Sequence, residues 1–365
     1  MTGLVGVVGA YGEVGAEATR ALWAAGVRLR IGGRSLQAAE TFAHEHLGPE
    51  VDCTAVDFTD DTSSATFVAG CAVVVNSAGP SHAIGNRLAD AAWRAGADYV
   101  DAAGDDRLHA LLDPARYQRA SRVAVLSAGL QPGLTSLFPQ AVATRFDQVD
   151  ELTVQVGLID RFTSVAADDY LQAAADGVST PRAAWRSGQR AEGALVRRIG
   201  LRLPYVGQVT ALPQLSTESE RLARAIGLRN GEWYVLLAGT RTLDVFDRVP
   251  MLDRTEAVEA LCRASRLDLG HRPTRIVIAV TAEGPRSGVT TGETVVLRGA
   301  STAELSGAVL TYATLAVLRG EVEPGRHYAA ETLDPVAVVD ALTKAEGPAV
   351  LSELTAFEFA EEGAL

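Results

Sequence analysis

The feature that most constrains this chain is a run of spaced glycines near its start. Residues 9–15 read Gly-Ala-Tyr-Gly-Glu-Val-Gly, between an apolar stretch at 4–8 and a stretch of helical periodicity at 14–25. Glycines let the backbone turn tightly and approach a phosphate closely, and a helix N-terminus attracts the phosphate charge. A strand-to-helix turn without a ligand is the alternative, but this context favours a dinucleotide-binding site. The residues assigned to that site are Gly9, Tyr11, Gly12, Glu13, Val14 and Gly15.

The first third of the chain alternates short apolar runs with amphipathic stretches, which is typical of repeated βαβ units. The run Ala-Val-Val-Val at 72–75 has the composition of a parallel strand buried on both faces. We therefore predict an α/β protein whose residues 1–130 form an N-terminal Rossmann domain with a doubly wound parallel sheet. The expected strands are 4–8, 27–31, 51–56, 72–75, 98–102 and 123–127, and the expected helices include 14–25, 86–95 and 108–120.

The pattern changes after Pro132, where long helical stretches separate fewer strands. This order predicts a second, α+β domain with a mixed sheet over residues 131–332, which would hold the substrate and a dimer contact. We expect residues 333–365 to carry a helix that packs back on the first domain. The expected strands are 152–156, 233–238, 275–281 and 295–298, and the expected helices are 168–175, 218–225, 255–265, 302–318 and 335–345.

Composition excludes several classes of partner. The formal net charge is −12 and the isoelectric point is about 5.1, whereas nucleic acids and anionic membranes require a basic face. We find no uncharged apolar run long enough to span a membrane and no signal peptide, and we expect a cytoplasmic protein. The three cysteines have no metal-ligand spacing, so no metal site is expected.

The end of the second predicted strand indicates which nicotinamide cofactor is used. Sites that prefer NAD place an acid there to hold the ribose 2′-hydroxyl group, but residues 31–35 read Ile-Gly-Gly-Arg-Ser. The Arg34 guanidinium matches a 2′-phosphate, and Ser35 can donate from the start of the next helix. A solvent-exposed arginine is the alternative, and we predict NADPH.

Two further strand ends supply candidate cofactor contacts. Asp57 follows the third strand, where it could lie beside the adenine or could cap a turn with Thr59, and the sequence leaves both readings open. The small residues after the fourth strand would let a loop run close beneath the nicotinamide ribose, at the edge where such sheets bind ligands. The residues assigned to that loop are Ser77, Ala78, Gly79 and Pro80.

Three segments carry a resemblance to a known family. They are residues 76–80 (Asn-Ser-Ala-Gly-Pro), 96–101 (Gly-Ala-Asp-Tyr-Val-Asp) and 129–134 (Gly-Leu-Gln-Pro-Gly-Leu), the last with Gln131 in place of the usual acid. The chain resembles the saccharopine dehydrogenase-like reductases, well in the cofactor domain and weakly beyond it. This family includes saccharopine reductases, carboxynorspermidine dehydrogenases, thiazolinyl imine reductases of siderophore pathways and trans-acting enoyl reductases. The resemblance implies reduction of a C=N bond with NADPH, and a homodimer.

Reduction of C=N leaves a nitrogen that needs a proton, so we sought an acid near the nicotinamide. His82 follows the Gly79-Pro80 turn, and imidazole groups titrate near neutral pH. Asp101 and Asp105 lie at the next strand end and could orient a substrate. The structural alternatives are a loop histidine bonded to the backbone and two helix-capping acids.

Four residues beyond the first domain's last strand are candidate substrate contacts: Gln131, Asp169, Tyr170 and Trp185. Aromatic residues on one helical face are usually core, so Tyr170 and Trp185 fit an amphipathic helix equally well. The substrate would be a small molecule or one tethered to a carrier protein.

These observations favour an NADPH-dependent reductase of an imine or thiazoline, and within it a thiazolinyl imine reductase of siderophore biosynthesis. The chain is shorter than expected for a saccharopine reductase and has no evident arginine clamp for a dicarboxylate. A saccharopine-type reductase and an enoyl reductase are the alternatives within the enzyme class. An NADPH-binding sensor without turnover is the alternative outside it, because a cofactor motif licenses binding and not chemistry.

Overall fold

The computed structural model describes residues 3–203 and 205–354, which divide into two compact units. The first unit comprises the described residues of Met1–Leu137 together with Ala303–Leu342. The second comprises Phe138–Thr302 and the described part of Thr343–Leu365. The division differs from the predicted boundaries at 130 and 332, because the whole of 303–342 groups with the N-terminal residues.

The first unit contains seven strands and the helices between them. The strands are β1 (Leu4–Val8), β2 (Arg28–Gly33), β3 (Asp52–Ala55), β4 (Cys71–Asn76), β5 (Asp98–Asp101), β6 (Val123–Leu126) and β16 (Gly325–Tyr328). The helices are α1 (Glu13–Ala24), α2 (Leu36–His46), α3 (Asp61–Val68), α4 (Ser81–Ile84), α5 (Arg87–Arg94), α6 (Asp106–Leu111), α7 (Pro114–Arg119), α13 (Thr302–Leu318), α14 (Ala329–Thr332) and α15 (Pro335–Thr343). Helix α8 (Leu134–Ala143) contains the boundary between the units.

The sheet of the first unit confirms the predicted doubly wound topology. Its strand order is β16-β6-β5-β4-β1-β2-β3, and every pair is parallel. All five residues of β1 are buried, as are Val73 to Val75 of β4, which fits a sheet covered on both faces. Because the strands are parallel, their carboxyl ends share one edge of the sheet, and the candidate loops emerge there.

The predicted single helix over 108–120 is wrong, because the structure has two helices there. Proline disfavours helical backbone in the residue before it, and Pro114 follows Asp113, whose backbone is extended. The Asp113 carboxylate then accepts a hydrogen bond from the Ala115 N–H at 2.9 Å and caps α7. The chain therefore ends α6 at Leu111 and begins α7 at Pro114.

The second unit contains ten strands and four helices longer than one turn, besides part of α8. The strands are β7 (Glu151–Ile159), β8 (Ser179–Pro181), β9 (Ala184–Arg186), β10 (Gln189–Ala191), β11 (Arg198–Leu203), β12 (Gly207–Ser216), β13 (Asn230–Leu237), β14 (Arg275–Arg286), β15 (Val289–Gly299) and β17 (Ala349–Leu354). The helices are α9 (Ser164–Ala175), α10 (Thr217–Ala225), α11 (Thr240–Arg248) and α12 (Arg254–Leu269), and a 3₁₀ turn covers Val249–Met251.

The sheet of the second unit is mixed, as predicted. Its main path is β10-β9-β13-β7-β14-β15-β17, in which only β13 and β7 pair in parallel, and β12 joins β13 to β11 and β8. The predicted strand at 295–298 is part of the longer β15, which forms a hairpin with β14. Ser287 and Gly288 both have positive φ (52° and 78°) and supply the two-residue turn of that hairpin.

The predicted terminal segment, residues 333–365, divides between the two units. Helix α15 is grouped with the first unit, whereas β17 extends the sheet of the second. Residues 355–365 of the prediction lie outside the described residues. Across 3–203 and 205–354, none of the helices is both long and apolar enough to cross a membrane.

Candidate functional site

The glycine loop between β1 and α1 is closed tightly against its neighbours. Gly9 has φ +80°, and a Cβ atom built on it would lie 2.7 Å from the Ala78 nitrogen. A Cβ on Gly15 would lie 2.0 Å from the Gly9 carbonyl oxygen, so a side chain at either position requires the backbone to shift. The Gly12 N–H donates to the Gly9 carbonyl at 2.9 Å, and no side chain caps α1 there. This cradle at the N-terminus of a twelve-residue helix fits a pyrophosphate group.

Two hydrogen bonds of Ser35 fix the turn from β2 into α2. The Ser35 side chain caps α2 by accepting from the Ala38 N–H at 3.2 Å, and the Ser35 N–H donates to the Tyr11 hydroxyl at 2.9 Å. Arg34 is exposed, and no hydrogen bond or ion pair engages its guanidinium among the described residues. An exposed cation without an adjacent acid suits a 2′-phosphate.

The loop after β4 lies directly beside the glycine loop. The Ser77 N–H and hydroxyl both donate to the Val8 carbonyl, at 3.0 and 2.9 Å, and so tie this loop to the end of β1. The Ala78 N–H donates to the Asn76 side-chain oxygen at 3.1 Å. The Gly79–Pro80 peptide is cis and leads into α4. The structure therefore brings the two predicted cofactor loops together.

Asp101, predicted as a catalytic candidate, lies inside a hydrogen-bond network. Its side chain is 1% exposed and accepts from the Asn76 amide at 2.9 Å and the Tyr99 hydroxyl at 2.6 Å. The N–H groups of Ala103 and Gly104 donate to its other oxygen at 2.9 and 2.8 Å. Both carboxylate oxygens therefore accept hydrogen bonds from groups at the strand ends, and a catalytic role of Asp101 stays a prediction.

Two other acids take the capping alternative. Asp105 caps α6 by accepting from the Arg107 N–H at 3.0 Å. Asp57 is exposed and accepts from the Thr59 N–H at 2.8 Å and the Thr59 hydroxyl at 2.6 Å. These hydrogen bonds to the charged form lower the pKa of Asp57.

His82 is the remaining catalytic candidate. It lies in the single turn of α4, directly after the Ser77–Pro80 loop, and its side chain is half-buried. Its position at the carboxyl edge of the sheet is the one that the sequence predicts.

Trp185 is buried in the second unit, and Tyr170 is partly buried against a hydrophobic cluster of that unit. Trp185 is 3% exposed, and its indole N–H donates to the Leu228 carbonyl at 2.9 Å. Tyr170 packs against the rings of Phe162 and Phe246, and burial raises the pKa of its hydroxyl. Protein atoms cover Trp185, whereas Tyr170 keeps part of its surface accessible, and the contact of these residues with a substrate stays a prediction.

The other two predicted substrate residues are more accessible. Asp169 is half-buried on α9 of the second unit. Gln131 is exposed in the 129–134 turn, which belongs to the first unit, and is followed by a cis peptide to Pro132.

Sequence reasoning did not single out Asn76 and Tyr99 as site residues. Both are fully buried and both donate to the Asp101 carboxylate, while Asn76 also orients the Ala78 N–H. A polar residue at the end of an otherwise apolar buried strand was the available signal for Asn76, since such groups are retained when they are hydrogen-bonded.

Together, the parallel sheet, the glycine cradle and the adjoining β4 loop define a Rossmann-type dinucleotide-binding protein. Residues 5–128 match the family described as the saccharopine dehydrogenase NADP binding domain. Over these residues the chain is similar to that NADP-binding domain, and the cofactor of the first unit is NADP. No curated protein matches the chain by sequence.

Two solved structures share the fold over almost the whole chain. Apo saccharopine dehydrogenase (L-Glu forming) from Saccharomyces cerevisiae is 15% identical, with a TM-score of 0.70, 97% of this chain covered and 100% of that one. DAP dehydrogenase of C. glutamicum in complex with DAP is also 15% identical, with a TM-score of 0.50 and coverages of 95% and 100%. At this identity the likeness establishes the fold.

No group of three or more His, Cys, Asp or Glu side chains that could hold a metal ion occurs within 3–203 and 205–354. What the site offers chemically is a phosphate cradle, an exposed cation at the end of β2, and a loop braced beside the cradle. That arrangement can hold a nicotinamide cofactor with its reactive ring at the carboxyl edge of the sheet.

Proposed function

We propose that this protein is an NADPH-dependent reductase of a C=N bond, an imine or a thiazoline, in a small or carrier-tethered metabolite. One observation carries the proposal: the β4 loop, Ser77 to Pro80, is hydrogen-bonded onto the end of β1 beside the glycine cradle of an NADP-binding domain. A loop fixed there supports the nicotinamide side of the cofactor. The preference for C=N is supported by the family resemblance, whose members mostly reduce such bonds.

The narrower proposal is a thiazolinyl imine reductase of siderophore biosynthesis. It is supported by the sequence, in which no arginine clamp for a dicarboxylate substrate is evident. The two solved structures that share the fold are described as dehydrogenases, one of saccharopine and one of DAP. Their names favour substrates that contain a carbon–nitrogen bond.

When bound in this site, NADPH would supply the hydride for the carbon of the C=N bond. The protein's own residues bind, orient and protonate. Gly9 and Gly15 leave room for the pyrophosphate, and Ser77 and Ala78 fix the loop beneath the nicotinamide ribose. His82, on the turn that follows, donates the proton that the reduced nitrogen requires.

The test is NADPH oxidation, followed by the loss of nicotinamide absorbance, against a thiazoline thioester, a preformed aldimine and an enoyl ester. We expect oxidation with a C=N compound and none with the enoyl ester. Oxidation with the enoyl ester alone would contradict the C=N assignment. If none of the three compounds caused NADPH oxidation while fluorescence still showed NADPH binding, a sensor without turnover would be favoured.

A further inference from the structure

The ring of Tyr11 occupies the space where a side chain on residue 33 would stand. A Cβ atom built on Gly33 would lie 2.6 Å from the Tyr11 hydroxyl oxygen and 2.8 Å from its Cε1 and Cζ atoms. Real Cβ atoms do not make contacts this short. Gly33 is the last residue of β2, the strand end where NAD-preferring sites carry their ribose-binding acid. The Tyr11 ring in this position therefore leaves no room for such an acid at residue 33.

The Tyr11 hydroxyl is held in a defined place. Its oxygen accepts the Ser35 N–H at 2.9 Å, at the residue that caps α2. Because the oxygen accepts this bond, the hydroxyl proton remains available for donation, and no acceptor for it is found in the described ranges. Tyr11 is half-exposed, so this proton can reach a ligand.

The hydroxyl borders an open depression beside an exposed cation. The depression has a volume of about 430 Å³ and is lined by Tyr11 and Ser35 and by the α2 residues Gln37, Ala38, Thr41, Phe42 and Glu45. Arg34, whose guanidinium is exposed, immediately precedes Ser35. A hydroxyl donor and a guanidinium at the end of β2 match the chemistry of a phosphate monoester.

We propose that Tyr11 is a specificity-determining residue, whose ring occupies the space of a side chain at position 33 and whose hydroxyl donates to the 2′-phosphate of NADP. This inference rests on the assignment of NADP as the cofactor. It adds that Tyr11, a residue of the glycine loop, recognises the 2′-phosphate on the adenosine ribose. Tyr11 lies inside the glycine motif and Gly33 ends β2. The two residues would then act together to favour NADP over NAD.

The first test is isothermal titration of the wild-type protein and Tyr11→Phe with adenosine 2′,5′-bisphosphate and with ADP. The phenylalanine keeps the ring and removes only the hydroxyl. A hydrogen bond to a charged group is worth enough for the affinity for the bisphosphate to fall about tenfold or more, while the affinity for ADP stays unchanged. A ratio of the two affinities within about twofold of the wild-type ratio would overturn the proposed role of the hydroxyl.

The second test separates the role of the ring from general damage to the site. Gly33→Ala should push the Tyr11 ring aside and lower the same affinity ratio, with a melting temperature close to wild type because only a side-chain end must move. In a Tyr11→Ala background the alanine at 33 should change the ratio little. An equal effect in both backgrounds would overturn the steric link between Tyr11 and Gly33.

The wild-type titration is the control for the cofactor assignment itself. A wild-type protein that binds ADP as tightly as the bisphosphate would contradict 2′-phosphate recognition altogether. A wild-type preference that survives Tyr11→Phe would contradict only the role of Tyr11.

Discussion

Replacing the buried carboxylate of Asp101 tests whether its hydrogen bonds stabilise the strand ends at the site. Asp101→Ala removes the acceptor of four hydrogen bonds of 2.6 to 2.9 Å, from Asn76, Tyr99, Ala103 and Gly104. Asp101, Asn76 and Tyr99 are each no more than 1% exposed, so water cannot readily replace the lost acceptor. A buried donor left unsatisfied costs about 1–3 kcal/mol, and breaking a buried charged network costs about 3–5 kcal/mol.

We therefore expect Asp101→Ala to lower the free energy of unfolding by about 3–5 kcal/mol, on the scale of breaking a buried charged network. Asp101→Asn keeps one acceptor oxygen and should cost less, about 1–3 kcal/mol. The assay is urea denaturation of the protein without cofactor, followed by tryptophan fluorescence.

Asp105→Ala is the matched control, because it removes a neighbouring acid that caps helix α6. Loss of an N-cap costs about 1 kcal/mol, so this variant should stay close to wild type in stability and in turnover. If Asp101→Ala were no more destabilising than Asp105→Ala, the network would not brace the strand ends as argued.

Three further perturbations test other parts of the site and of the second unit. Arg34→Ala should weaken NADPH binding by about tenfold or more through the loss of a charge-assisted bond, and should leave NADH binding unchanged, measured by fluorescence titration. His82→Ala should lower kcat and leave the NADPH dissociation constant unchanged, measured by stopped-flow kinetics and titration. Burial opposes ionisation of Glu232, but hydrogen bonds from Tyr234 and Arg186 outweigh it and lower its pKa. The stabilisation that the Glu232 carboxylate gives is therefore fully present above pH 4.5, its ordinary pKa, and is lost as the pH falls through the lower pKa of the folded state. The free energy of unfolding of Glu232→Gln should therefore fall less steeply at acid pH than that of the wild-type protein.

Matched controls and contrary outcomes accompany these variants. Arg28→Ala is the control for Arg34→Ala. It removes an exposed arginine from the start of β2, the strand that Arg34 follows, and should leave the affinities for NADPH and NADH unchanged. Equal losses of NADPH and NADH binding in Arg34→Ala would mean that Arg34 does not contact a 2′-phosphate. A wild-type kcat in His82→Ala would place the proton donor elsewhere. An unchanged acid limb in Glu232→Gln would contradict the stabilising role of that carboxylate.

The fold of the first unit follows closely from sequence pattern. Parallel strands buried on both faces are continuous apolar runs, and β1, β4 and β6 are of this kind. Strand β16 reads Gly-Arg-His-Tyr and lies at the edge of the sheet, so it carries no apolar signal. Its place beside β6 comes from contacts far apart in the chain, which local pattern does not encode.

The second unit was harder to predict because several of its strands are short. Strands β8, β9 and β10 have three residues each, too few to show a period of two. The strands that were predicted, such as β7 and β14, are the long apolar ones in the middle of the sheet.

In the candidate site, the sequence indicates the glycines of the 9–15 loop correctly. Positive φ at Gly9, and close contact with neighbouring backbone atoms at Gly9 and Gly15, leave room only for glycine. The sequence also indicates Ser35, because capping is a local interaction. The sequence leaves the roles of Trp185 and Tyr170 open because an aromatic residue in a core and one in a pocket have the same spacing. It does not reveal the hydrogen bonds of Asp101, because the number of donors around a carboxylate depends on neighbouring strands.

The most direct test of the central claim is the reaction of NADPH with a preformed C=N compound, followed by nicotinamide absorbance and by mass spectrometry of the product. The account predicts loss of NADPH together with a product heavier by two hydrogen atoms, from an imine or a thiazoline and not from an enoyl ester. Reduction of the enoyl ester with no reaction at C=N would contradict it.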